Sequence, residues 1–298
     1  MVGDGRHDVI DTGPPRRRLS RVVVVVLGVV LGVSVVALLA EGGSPAPPPP
    51  SPPPPSATVA PGPTFSRIDA RPNVLHPKTR KVGEATRAMD VTFPDGSRAR
   101  LTYPADLRLE ELGVRPFTGV MDTTPSLYAM YAPRSGEAEL AVGGKRLRRL
   151  ADGVDLWQRG DDYVTAFTFG RWLMAIDDPY GHDIVFEARM ALAENIDGEV
   201  DEDGFLILSA AKPLRLIGPG EVYAGKPLGP QLWFGHAAGP LVVVAPTPSC
   251  DETFPVPAIV AENQKHATAC KGDFLVAAAG PGGFAERATR RIEVRGLD

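Results

Sequence analysis

Cysteine is scarce in this chain, with two residues in 298, which excludes a disulfide-dense small scaffold. Histidine is scarce too. None of the five falls at H-x-x-x-H or H-E-x-x-H spacing, so the zinc-hydrolase patterns are missing. The G-x-S-x-G, Walker A and G-x-G-x-x-G motifs are absent as well. Neither sign of charge is in large excess. A net charge of −4 and a pI near 5.8 leave no concentrated basic face for phosphate backbones, so nucleic acid is not an expected partner. A hydrophobic fraction of 43% rules out a disordered polymer, and the single long apolar run rules out a multi-span membrane protein.

That run extends from Val22 to Ala40 without a charge (VVVVVLGVVLGVSVVALLA). At about 1.5 Å per residue a helix of this length covers roughly 28 Å, close to the hydrocarbon thickness of a bilayer. Valine is a mediocre helix former in water, but in lipid the backbone must satisfy its own hydrogen bonds. Arg16, Arg17, Arg18 and Arg21 precede the run, and no basic residue follows it until Arg67. The positive-inside rule therefore places residues 1–21 in the cytoplasm and everything beyond Ala40 outside. A cleaved signal peptide is the competing reading, but its apolar core would be shorter, and Leu38 before Ala40 is a poor small-x-small site. Arg16–Leu19 also loosely fits a twin-arginine export signal. With no cysteine immediately after the run, a lipoprotein is not expected.

Residues 41–63 hold 11 prolines between Pro45 and Pro63. Such a stretch favours the extended polyproline II conformation, and 19 residues at about 3.1 Å each make a spacer of up to roughly 60 Å. It reads as a stalk rather than a docking site for a proline-binding groove. Arginine outnumbers lysine 25 to 7, and Ala, Gly and Pro abound, a bias typical of high-GC bacterial genomes.

The remainder, residues 64–298, is large enough for one body or for two lobes, 64–155 and 156–298. Alternation on either side of Pro94-Asp95-Gly96 predicts a hairpin of 88–93 and 97–103. Further strands are expected at 126–132, 163–169, 171–176, 205–209, 214–217, 232–235, 241–245, 273–279 and 291–294. Helices are expected at 183–196, with Asp183 as N-cap, and at 284–289. The expected class is α+β, mostly antiparallel sheet with a few helices packed on one face, preceded by one transmembrane helix and the proline-rich stalk. Segments 172–189 and 274–287 echo each other and suggest two strand–loop–helix units. Cys250 and Cys270 are expected to form a disulfide, closing a loop worth about 3 kcal/mol. No C-x-x-C spacing favours a metal instead, and His266 four residues before Cys270 is a weak signal.

Four features bear on chemistry. Glu199, Asp201, Asp203 and Gly204 match loop positions 1, 3, 5 and 6 of a calcium site, but position 12 is Ala210 rather than a bidentate Glu, so an ordinary turn before a strand is expected. Ser209-Ala-Ala-Lys212 spells S-x-x-K, yet it ends a strand and runs into Pro213, so the pair should point apart. Lys145, Arg146, Arg148 and Arg149, with Leu147, Leu150 and Val154 at helical spacing, read as a short amphipathic helical turn and a weak candidate for binding an anionic wall polymer or lipid head groups. His182 beside Asp183, and the turn Gly280–Gly283 before a helix, read as structural elements rather than as an acid–base pair or an anion site.

The leading expectation is a single-pass, membrane-anchored envelope protein. It would touch the bilayer through residues 22–40, carry a non-catalytic binding module outside and use no metal or other cofactor. Its partner would be an envelope protein or a wall polymer. A wall- or surface-directed hydrolase using Asp177, Asp178 and Asp183 is the alternative, and the sensory half of a membrane regulatory complex is a third.

Overall fold

The computed structural model describes residues 72–123, 126–178, 184–263 and 265–297. The apolar run 22–40, its arginines at 16, 17, 18 and 21, and the proline-rich segment 41–63 lie outside these residues. Among the described residues no helix is long and apolar enough to cross a membrane.

The chain opens with β1 (Arg80–Gly83), β2 (Thr86–Thr92) and β3 (Arg98–Pro104), in which β2 and β3 form the expected hairpin. Its turn follows from local chemistry: Asp95 accepts from the Ser97 amide at 3.1 Å, and Gly96 takes the positive φ of +83° that a side chain would resist. After a 3₁₀ turn and α1 (Leu109–Leu112) come β4 (Val114–Met121), β5 (Leu127–Tyr131), α2 (Glu137–Ala141) and β6 (Gly144–Ala151). A meander follows: β7 (Val154–Arg159), β8 (Asp162–Phe169) and β9 (Trp172–Asp178). Then α3 (Phe186–Asn195) leads into the hairpin β10 (Ile196–Val200) and β11 (Leu206–Ala210). Three short strands, β12 (Arg215–Leu216), β13 (Val222–Tyr223) and β14 (Lys226–Pro227), precede β15 (Gln231–Gly235) and β16 (Leu241–Pro246). The chain ends with α4 (Ala258–Ala261), β17 (His266–Cys270), β18 (Phe274–Ala279), α5 (Phe284–Arg291) and β19 (Glu293–Leu297).

Among the described residues all strand pairs are antiparallel, and the class is α+β with few helices. The small sheet runs β1-β2-β3-β19. The large sheet runs β17-β18-β16-β15-β4-β5-β9-β8-β7-β6, with β12 beside β4, so strands from residues 64–155 and 156–298 share it. Both faces of its central strands are covered, which is why β16 (LVVVAP) and β18 (FLVAAA) read as unbroken apolar runs rather than as alternation. Val242, Val244, Val276 and Ala278 join the main core with residues of the small sheet, α3 and α5. Leu241, Val243, Leu275 and Ala277 face the other way, onto Val260 of α4. Leu140 of α2 packs with Trp157, Val164 and Ala175 in a third cluster, leaving Val142 just after the helix exposed. The helices thus cover both faces rather than the single face expected from sequence.

Two further elements differ from their expected form. The helix α3 starts at Phe186 with Val185 as N-cap, not at Asp183, which lies outside the described residues. Residues 145–149 form part of strand β6, not a helical turn. The segments 172–189 and 274–287 each contain a strand and then a helix that runs into a further strand (β9–α3–β10 and β18–α5–β19), and the same order recurs in β5–α2–β6 and β16–α4–β17. In three of them a proline stands at or just beyond the first strand's end (Pro133, Pro246, Pro281), where a residue without an N–H does not extend the ladder further.

Candidate functional site

Strands β5 and β9 are neighbours in the large sheet, yet they pair only at Met130–Ile176 and Tyr131–Ala175. Beyond these pairs the N-terminal half of β5 and the C-terminal end of β9 part. Between them lies a cavity of about 450 Å³, lined by Ser126, Leu127, Tyr128, Tyr131, Asp177, Asp178 and Ile184 among others.

Its polar groups are held in fixed positions. Tyr131 donates its hydroxyl to Asp177 at 2.7 Å, and Arg159 of β7 reaches the other Asp177 oxygen at 3.4 Å. Burial, and then the Asp177 charge, push the Tyr131 phenol well above its ordinary pKa, so it stays a hydrogen-bond donor. On the β5 side the Tyr128 hydroxyl donates to Asp122 at 3.3 Å, and the other Asp122 oxygen accepts from the Ser126 amide at 2.9 Å. Burial also raises the Tyr128 phenol. Asp177 and Asp178 are consecutive on a strand and so point to opposite faces. Asp177 is turned toward Tyr131, whereas buried Asp178 meets the guanidinium of Arg189 on α3. Arg189 in turn lies over the Tyr163 ring, 5.0 Å from its centre. The two carboxylates are therefore engaged by different cations on different faces and do not oppose each other across a common bond. Asp183 and His182 lie outside the described residues.

The remaining sequence candidates are dispersed. Cys250 and Cys270 form a disulfide with Cα atoms 5.7 Å apart, joining the start of the loop before α4 to the end of β17. Among the described residues no group of three or more His, Cys, Asp or Glu could hold a metal ion. Asp201 serves the β10–β11 turn instead, accepting from the amides of Asp203 at 3.0 Å and Phe205 at 2.8 Å and from the Thr92 hydroxyl at 2.7 Å. Ser209 and Lys212 are both exposed. Gly280 to Gly283 make the tight β18–α5 connection, where a Cβ on Gly280 would come within 2.9 Å of Phe284. His76 and His266 bond to the carbonyls of Glu110 and Asn263. Lys145, Arg146, Arg148 and Arg149 lie along β6, an edge strand of the large sheet.

Sequence reasoning named Asp177 and Asp178 but missed Tyr128, Tyr131, Arg159 and Arg189. The only local signal was two tyrosines in a strand-like SLYAMYA. Comparison with known proteins gives no matching family model, no matching curated protein and no matching solved structure.

Proposed function

We propose that this protein is a non-catalytic binding module of the cell envelope. In this reading residues 22–40 anchor it to the membrane with the N-terminus in the cytoplasm, residues 41–63 act as a stalk, and the cleft between β5 and β9 takes an amide- or hydroxyl-bearing segment of a wall polymer. The observation that carries the reading is the fixed array at the cleft mouth. Tyr131, Asp177 and Arg159 form one hydrogen-bonded line beside the apolar side chains of Leu127 and Ile184. An apolar wall with a few oriented polar groups suits reversible recognition of a neutral polar ligand. A disulfide is consistent with an oxidising compartment.

The test is titration of the full chain in detergent with soluble wall-glycan fragments, alongside the Tyr131→Phe and Asp177→Asn variants. Specific binding weakened about tenfold or more by each variant supports the reading, the cost expected for losing one hydrogen bond that involves a charged group. Binding unchanged in both variants removes the cleft from the account, and turnover of the fragments removes the non-catalytic assignment. The topology is tested by adding protease to intact cells: cleavage of the domain is expected, and protection until lysis would overturn the placement.

A further inference from the structure

Strand β6 is the outer edge of the large sheet, and residues 145–149 are all exposed. Its register with β7 sorts the four cations between two faces. Arg146 lies opposite Trp157 and Arg149 opposite Asp155, which puts both on one face. There Arg146 pairs with Asp155 at 2.6 Å, and Arg149 lies 3.8 Å from both Asp152 and Asp155. Lys145 lies opposite Gln158 and Arg148 opposite Leu156, on the other face. Among the described residues neither of these has a carboxylate partner. Instead Arg148 sits over the ring of Phe186, 4.6 Å from its centre.

The same spot carries unburied apolar surface. Phe186 is 46% exposed, Val185 beside it 60%, and Leu147, in the bulge between Arg146 and Arg148, 40%. These are three of the seven large apolar side chains that the described structure leaves exposed. On one face of the exposed edge strand, cations without a carboxylate partner among the described residues thus meet the exposed Phe186 ring, with Leu147 and Val185 next to them in sequence, while the opposite face is neutralised. Glu187, the nearest acidic residue in sequence, is one helical step, about 100°, round from Phe186.

We propose that Lys145, Arg148, Leu147, Val185 and Phe186 form a docking face for the anionic surface of a lipid bilayer. Phe186 and Val185 enter the interfacial region while the two cations meet anionic head groups. The charge pattern favours this occupant, since an anionic sheet satisfies cations that no carboxylate among the described residues reaches. That the bilayer is the one anchoring the chain rests on the proposed function; the amphipathic face does not. A stalk of up to roughly 60 Å would keep the domain within reach of that membrane, making even weak docking intramolecular.

The experiment uses residues 65–298, which form a compact unit containing all three apolar clusters. Cosedimentation with mixed phosphatidylglycerol–phosphatidylcholine vesicles is compared with phosphatidylcholine vesicles alone, and circular dichroism confirms the fold of every variant. The expected result is about tenfold or greater preference for the anionic vesicles, lost on adding salt. Lys145→Glu with Arg148→Glu, or the milder Arg148→Gln, should reduce that preference. Phe186→Ser should weaken binding, and Arg149→Gln on the neutralised face should not change it. Equal binding to both vesicles, no effect of the Lys145 and Arg148 changes, or displacement by inorganic phosphate as effective as by anionic vesicles would each overturn the proposal. If vesicle binding fails while protease still cleaves the domain on intact cells, the docking face falls and the anchored reading stands.

Discussion

Asp90 offers a direct test of how the small sheet is held together. It lies on β2 directly opposite Arg100 of β3, which donates Nε at 2.7 Å and Nη2 at 3.0 Å, and Arg80 of β1 adds a contact at 3.2 Å. One carboxylate therefore ties three strands. The Arg100 hydrogen bonds chiefly, opposed by burial and helped by Arg80, hold the Asp90 carboxyl at about 2 against an ordinary 3.8. That gap corresponds to about 2.5 kcal/mol. Because both arginine side chains are more than 40% exposed, solvent screening cuts the expected net contribution to about 1 kcal/mol. A depressed carboxyl stabilises the folded state fully above its ordinary value, and the contribution disappears as pH falls through about 2. Asp90→Asn should thus lower the melting temperature by about 3 °C at neutral pH. In urea titrations its deficit relative to the parent should shrink steadily between pH 4 and pH 2, where about half of the parent's Asp90 is itself protonated. A deficit of the same size at both ends would show that shape rather than charge does the stabilising, and no deficit at neutral pH would show that the arginines hold their strands without it.

Other outcomes follow from the same structure. Replacing Cys250 and Cys270 by serine should cost about 3 kcal/mol, read by denaturant titration, since the bridge closes a loop with a sequence separation of 20. Arg115 on β4 is 6% exposed and donates to the carbonyls of Ala132 at 2.8 Å and Gly235 at 3.2 Å, with burial and then the Arg134 charge lowering its pKa to about 10. Arg115→Met should therefore stay within about 1 kcal/mol of the parent, whereas Arg115→Ala, which leaves a cavity, should lose about 3 kcal/mol. The parent should also gain stability relative to the Met variant as pH rises through about 10. Gly119→Ala should cost about 1–3 kcal/mol in a thermal melt, because the new Cβ would lie 2.7 Å from Ile217 and 2.9 Å from the Leu228 carbonyl.

Much of the sheet was legible because its signals are local. Pro94-Asp95-Gly96 announces its hairpin, Gly170 marks the β8–β9 turn, and Cys250 and Cys270 had only each other. Strand β6 was misread for a physical reason. Two irregularities in its pairing, between Arg146 and Arg148 and between Arg149 and Ala151, break the two-residue alternation. Leu147 and Leu150 then fall three apart and imitate a helix. Central strand β4 went unseen because Arg115 and Pro116 interrupt its apolar pattern, although Arg115 is buried by donating to carbonyls. The cleft could not be read at all: Tyr131 and Asp177 are 46 residues apart and meet only because β9 returns to lie beside β5.

The two-pair junction of β5 with β9 has a mechanical corollary. It is the thinnest stitching along the whole ladder, so if the broad sheet breathes, the flap made of β6 to β9 should swing against the rest about this line, and its amides there should exchange with solvent first. Anything lodged in the opening would act as a wedge, fixing the angle of that flap and, with it, the bearing of the outermost strand.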